Sequence, residues 1–187
     1  MIRSVEDRLP SWAQVSDERL AHITRVAALA DDWARRLGLP AEERRRWLRA
    51  AWLHDALRDA DAATIERWAP DTNGPRELRH GPASAARAAA DGERDEGVLS
   101  AVRYHSIGYA GWDEVGRALY CADYLEPGRS FKREWRAGLA ARFPDDPPEV
   151  LRAVATDRLL HLIGSGWPIP EPTVGFWNSV AAPSGSR

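Results

Sequence analysis

His54 and Asp55 stand side by side, directly after the apolar run Ala50, Ala51, Trp52 and Leu53. A carboxylate placed next to a helix's most apolar turn is costly to bury unless a positive charge meets it. The chain holds five histidines: His22, His54, His80, His105 and His161. The first four fall at helix ends or on helix sides that also carry apolar residues. His22 shares a face with Val26, Leu29 and Trp33, and His105 ends a segment bearing Leu99 and Val102. Asp123 follows Leu119 by four residues and Val115 by eight, which puts a second carboxylate on an apolar side. Four imidazoles and two carboxylates on inward positions suit one or two bound dications, which would neutralise the carboxylates and use the imidazoles as donors. Hydrogen-bonded core histidines are the plainer alternative, and spacing alone leaves it open. No short-spaced zinc motif is present.

The elements that must position these groups read as helices. Apolar residues recur at Leu20, Ile23, Ala27, Ala30, Ala34 and Leu37, in steps of three and four. Gly38 supplies a stop and Pro40 pre-sets the next helix. The spacing predicts that helix over 41–58, polar at its start and apolar at its end. A short helix is predicted over 62–68, and "APDTNGPRE" reads as a loop. "HGPASAARAAADG" has a start signal at Pro82 and a stop at Gly92. "DEGVLSAVRYHSIG" reads as a helix ending near His105, and "DEVGRALYCADYLEPG" as one ended by Pro127 and Gly128. "PPEVLRAVATDRLLHLIG" is a long helix, a short one is predicted after Thr173, and "APSGSR" reads as a frayed tail. No segment shows useful strand alternation. The expectation is one all-α domain over 19–180, with an N-terminal extension at 1–18 and a disordered tail at 181–187.

Composition sets the outer bounds. The chain has 187 residues and a net charge of -2, so no global positive field draws it to nucleic acid or an anionic membrane. The single cysteine, Cys121, cannot form an internal disulfide and fits a reducing compartment. No signal peptide or transmembrane run is evident, so a cytoplasmic location is expected. Lys132 is the only lysine, and all other basic side chains are arginine. Among the nine tryptophans, Trp33, Trp47 and Trp52 fall on apolar helix sides and read as core.

The series His22, then His54-Asp55, then Asp123 resembles the H…HD…D signature of the HD superfamily of metal-dependent phosphohydrolases. The blocks "HGPAS" at His80, "VRYHSIG" at His105, "ALYCADYLEPGRSF" around Asp123 and "PIPEPTVGFWN" near the end are similar to those of the YqeK family. Those are bacterial HD enzymes that hydrolyse diadenosine tetraphosphate symmetrically. The resemblance runs from about His22 to Asn178. It implies an HD-type helical bundle with a metal site between helices. It also implies two divalent or trivalent transition-metal ions, iron in preference to manganese. By the same resemblance His22, His54, Asp55 and Asp123 hold one metal, while His80 and His105 hold the second, with Asp55 bridging.

The sequence departs from the family pattern after the HD pair, where Ala56, Leu57 and Arg58 stand in place of an aromatic residue and then lysine. Ser106, Ile107, Gly108 and Tyr109 likewise replace two threonines, glycine and a common arginine. The implied substrate contacts are Arg58, Ser106, Gly108 and Arg129, with Asp55, Arg58 and Arg129 as the catalytic set. Arg129 follows a Pro-Gly helix end and can fork onto two phosphate oxygens. Lys132 and Arg103 are weaker candidates. Cys121 reads as a buried bystander, and His161 as a helix-end residue outside the site.

Two bound metals would lower the pKa of a shared water and polarise phosphoryl oxygens, which is what phosphoanhydride hydrolysis needs. The expected partner is a small-molecule nucleotide, with neither nucleic acid nor membrane; a homodimer is left open. The rival expectations are an HD-fold two-iron oxygenase, a hydrolase of another nucleotide, and a nucleotide-binding module without turnover.

Overall fold

Ser16 accepts a hydrogen bond from the Arg19 N–H and starts helix α1, Asp17–Arg36. The same device recurs along the chain: Asp61 caps α3 (Ala62–Trp68), Asp95 caps α5 (Glu96–Tyr104), and Asp113 caps α6 (Glu114–Leu125). Each cap satisfies an N–H that the helix itself cannot, worth roughly 1 kcal/mol. The other helices are α2 (Ala41–Leu53), α4 (Arg76–Ala90), α7 (Arg133–Arg142), α8 (Pro147–Gly164) and α9 (Glu171–Ala181). This is a computed structural model describing residues 9–70 and 75–181, and among the described residues every regular element is a helix. The expected tail after Ala181, residues 1–8 of the N-terminal extension and residues 71–74 of the loop lie outside the described residues.

Helix α2 is central, packing against α1, α4, α5 and α6. Its apolar side joins Val26 and Trp33 of α1, Val102 of α5 and Leu119 of α6 in one core. Trp33 is fully buried, stacks on Phe143 with ring centroids 3.9 Å apart, and donates its indole N–H to the Ala140 carbonyl at 2.9 Å. Trp47 is also buried, while Trp52 is partly exposed at the edge of the same core.

Three boundaries differ from the expectation. Helix α2 stops at Leu53 rather than Arg58, because the chain tightens into turns with Ala56 N–H bonding Leu53 O, Arg58 N–H bonding Asp55 O and Ala60 N–H bonding Leu57 O. Helix α4 begins at Arg76, so Pro82 lies inside it and does not start it. A proline there forfeits only one backbone hydrogen bond, to the carbonyl four residues earlier, and packing against α3 and α5 holds the helix across it. Helix α9 begins at Glu171, two residues before Thr173, and α7 has no counterpart in the sequence reading.

No helix is long and apolar enough to cross a membrane among the described residues.

Candidate metal centre

Three of the four inward histidines are held by one local device. His54 Nδ1 meets the Ala51 carbonyl at 2.7 Å, His80 Nδ1 the Glu77 carbonyl at 2.8 Å, and His105 Nδ1 the Val102 carbonyl at 2.8 Å. Each ring thus spends its Nδ1–H on the carbonyl three residues back and turns Nε2 inward. His22 does the same with a side chain, its Nδ1 lying 3.2 Å from Glu126 Oε1. Fixing one ring nitrogen as the donor leaves the other as a lone-pair ligand. The helices therefore set the tautomers before any ligand arrives.

The four Nε2 atoms and both carboxylates converge. His22 Nε2 and His54 Nε2 are 3.4 Å apart, and His80 Nε2 and His105 Nε2 are 3.0 Å apart. Asp55 lies between the pairs. Its Oδ1 is 3.0 Å from His80 Nε2 and 3.4 Å from His105 Nε2. Its Oδ2 is 3.8 Å from His22 Nε2 and 3.6 Å from His54 Nε2. Asp123 Oδ1 approaches His22 Nε2 at 3.2 Å. All six side chains are buried. Two groups, His22, His54 and Asp123, and His54, Asp55 and His105, each bring ligand atoms within 4.8 Å of one another.

His54 thus belongs to both groups. The division of the six ligands between two metals, as implied by the resemblance, is less sharp in the geometry.

Two glycines near the centre are set by close packing, and one of them permits this convergence. A Cβ on Gly81 would lie 2.9 Å from the Arg103 carbonyl oxygen and 3.0 Å from that of Val102, so glycine allows α4 to close onto the end of α5. That contact brings His80 to His105. Gly108 has φ of +85°, and a Cβ there would lie 2.4 Å from the Phe176 ring. Its place is thus against α9, and packing explains the glycine without a substrate.

Electrostatics favour the ligating forms of His54, His80, Asp55 and Asp123, whereas His22 is held as an imidazolium whose proton a metal would have to displace. Burial alone would lower the His22 pKa, but hydrogen bonds to Asp123 and Glu126 and the charges of Asp123 and Asp55 raise it from 6.5 to about 9. Full burial lowers His54 to about 4 and keeps it neutral. Burial also lowers His80. Burial opposes ionisation of Asp55, yet His54 foremost, then His105 and His80, hold it well below the usual carboxylate range. Asp123 is likewise held down against burial by Arg129, His22 and Arg158.

The donor set fits a metal. Two imidazole nitrogens 3.0 Å apart repel unless a proton or a cation lies between them. Four nitrogens and two carboxylates without thiolate make a donor set for divalent transition-metal ions. Cys121 is fully buried, and burial pushes its thiol pKa up, which fits the bystander reading.

The arginines differ from the expectation in detail. Arg129 does not stand free in its loop: Nη2 binds Asp123 Oδ1 at 2.7 Å and Nε binds the Asp123 carbonyl at 3.1 Å. Arg58 Nη1 binds the Glu77 carbonyl at 2.5 Å and lies 3.0 Å from His80 Nδ1, so it braces the carbonyl that orients His80. Ser106 Oγ is 3.1 Å from His105 Nε2 and 3.5 Å from His80 Nε2. Lys132 is committed to Asp157, Arg103 is exposed, and the His161 ring packs on Trp167 away from the centre.

Four residues around the centre went unnoticed in the sequence. Arg19 Nη1 binds Asp55 Oδ2 at 2.8 Å. Glu126, 1% exposed, takes His22 on one oxygen and Arg25 Nε, at 2.5 Å, on the other. Arg158 Nη1 stands 3.7 Å from Asp123 Oδ2. Arg19 and Arg25 are three residues either side of His22, and Glu126 three after Asp123. That spacing shares a helix face and was the available signal. Arg158 has none.

A groove of about 440 Å³ lined by Trp12, Gln14, Leu57, Thr64, Arg67, Trp68, Arg87 and Ala90 holds none of the six ligands. Its Arg87 guanidinium is sandwiched between the Trp12 and Trp68 rings, which explains it structurally.

A helical bundle enclosing an H…HD…D set defines the class, and the HD domain family matches residues 19–128. The chain belongs to the HD domain family. It is similar to the symmetrical bis(5'-nucleosyl)-tetraphosphatases of Bacillus subtilis, 41% identical over 56 residues, and Staphylococcus aureus, 40% identical over 55 residues. Those matches span 29% of this chain in each case, and 30% and 28% of the two relatives. The chain thus aligns with less than a third of each relative's length. Its fold is that of a Clostridium acetobutylicum HD superfamily hydrolase described as involved in NAD metabolism. That crystal structure gives a TM-score of 0.74 at 23% identity, covering 89% of this chain and 90% of that one.

Proposed function

We propose that the chain is a metal-dependent hydrolase of dinucleoside polyphosphates, converting diadenosine tetraphosphate and water to two ADP. One observation carries the reading: Asp55 turns one oxygen to His80 and His105 and the other towards His22 and His54, as a carboxylate bridging two ions would. The partial matches to symmetrical tetraphosphatases supply the substrate class. Two bound ions, iron or manganese, would furnish an ionised water and polarise a phosphoryl oxygen.

The chain's own residues do the rest. Arg129 and Arg158 hold Asp123 ionised, Arg19 pairs with Asp55, and Arg58 fixes the carbonyl that orients His80. In hydrolysis the water oxygen bonds to one inner phosphorus and the central P–O–P bond breaks. One ADP leaves with the bond pair, the other carries the new oxygen, and the water's protons pass to the product oxyanion and solvent. The surrounding guanidiniums favour a polyanion over the organic substrate of an HD-fold two-iron oxygenase. We take the HD domain as residues 19–180 and the setting as cytoplasmic, with a diffusible nucleotide as substrate.

The test is product analysis with metal-quantified protein in oxygen-18 water. ADP alone, with one label per substrate consumed, is expected. AMP plus ATP would refute symmetrical cleavage. Oxygen consumption with an organic substrate, and no nucleotide turnover, would favour the oxygenase.

A further inference from the structure

Helix α8 sends Arg158 towards the centre from a side that no sequence motif marks. The guanidinium lies 4.5 Å over the Tyr120 ring and 5.4 Å from the Tyr124 ring, which fixes its plane. Nη2 reaches the Ser106 carbonyl at 3.4 Å. Nη1 is buried and has no hydrogen-bond partner among the described residues. Its carboxylate neighbour, Asp123 Oδ2, stands 3.7 Å away, close enough to attract but beyond hydrogen-bond reach. A buried charged donor without an acceptor is unfavourable unless something else accepts from it.

Its two neighbours belong to different halves of the centre. Asp123 sits with His22, while the Ser106 hydroxyl sits against His105 and His80. An anion resting on both halves would lie beside the Arg158 guanidinium, whose side chain is 22% exposed although Nη1 itself is closed to solvent. Arg129 is placed otherwise, with Nε and Nη2 both committed to Asp123. Three guanidiniums, from Arg19, Arg129 and Arg158, already attend two carboxylates before any ion binds. Ions held by the same carboxylates would add positive charge, and only a ligand of several negative charges balances it.

We propose that Arg158 determines specificity for polyphosphate chains, its guanidinium binding a non-bridging oxygen of a phosphate next to the one hydrolysed. The proposal rests on the phosphohydrolase reading above. Arg158 makes and breaks no bond: it meets the charge of a neighbouring phosphate that a phosphomonoester lacks. The substrate class it selects is the ester with at least two linked phosphates.

The experiment compares wild type, Arg158→Gln and Arg158→Lys as metal-loaded full chains. Calorimetry measures binding of ADP and of orthophosphate, and kinetics compare diadenosine tetraphosphate with a small aryl phosphate. With metal saturating and its content measured for each variant, Arg158→Gln should weaken ADP by about ten-fold or more, the loss of one charge-assisted bond, and weaken orthophosphate much less. KM for the tetraphosphate should rise more than kcat falls, the aryl phosphate should lose several-fold less than the tetraphosphate, and Arg158→Lys should recover part of the ADP affinity. Equal weakening of ADP and orthophosphate, or no change in either, would overturn the proposal. Should Arg158→Gln fail to fold, the lysine variant decides alone: ADP weakened selectively supports the proposal, and unselective loss or none overturns it. Selective ADP loss without any tetraphosphate turnover in wild type would sink the tetraphosphatase reading and leave Arg158 assigned. Normal turnover with unchanged ADP binding does the reverse.

Discussion

Replacing Glu126 by glutamine changes one atom type, yet it should disable a metal ligand that Glu126 does not itself provide. Glu126 Oε2 accepts from Arg25 Nε at 2.5 Å and from the Gly128 N–H at 2.7 Å. Both partners are obligate donors, so the single amide oxygen of a glutamine must stay there. The NH2 group then faces His22 Nδ1, now 3.2 Å from Oε1. Two donors cannot share that gap, so the ring must accept on Nδ1 and carry its proton on Nε2. That is the wrong tautomer for ligating through Nε2. Loss of such an orienting partner costs about 10–100-fold in metal affinity, or roughly 1.4–2.7 kcal/mol at the His22 position. The assay is metal titration of chelator-stripped Glu126→Gln against wild type, followed by calorimetry. Binding at the His80 and His105 side should change much less. Unchanged affinity at both positions would refute the tautomer argument.

Two further outcomes follow from burial and charge. In the metal-free protein, His54 is lowered to about 4, so stability should fall as pH drops from 6.5 towards 4, by about 3 kcal/mol. His22 is raised to about 9, so its contribution is whole below 6.5 and lost as pH climbs through 9. Urea unfolding across pH should therefore peak near neutrality without metal; a profile that only rises with pH would contradict the His22 assignment, and one that only falls would contradict that of His54. Arg136, 2% exposed, donates to the carbonyls of Tyr124, Glu126 and Arg129, fixing the turn after α6. Arg136→Met should cost about 3 kcal/mol or more by stranding those carbonyls, and a urea midpoint equal to wild type would show they find other partners.

Much of this was legible in the sequence because polar groups on apolar helix faces are conspicuous. His22, His54, Asp55, His80, His105 and Asp123 stood out by type and phase, and the structure brings all six together. Helix α7 was not legible: of its residues only Arg136 and Leu139 are buried, which leaves no stripe to detect. The early end of α2 escaped because turns bonded three residues back keep nearly helical phase over residues 54–59. Pro82 misled because proline favours first turns, whereas α3 and α5 hold α4 together across it. Arg158 depends on how α8 lies against α6, a tertiary fact with no local signal.

The central claim is that Asp55 joins two ions in one centre, and elemental analysis of folded Asp55→Ala beside wild type tests it most directly. Wild type should carry close to two transition-metal ions per chain. The variant, with circular dichroism unchanged, should lose most of both. Full retention of both ions in folded Asp55→Ala would contradict the bridge and the two-ion chemistry built on it.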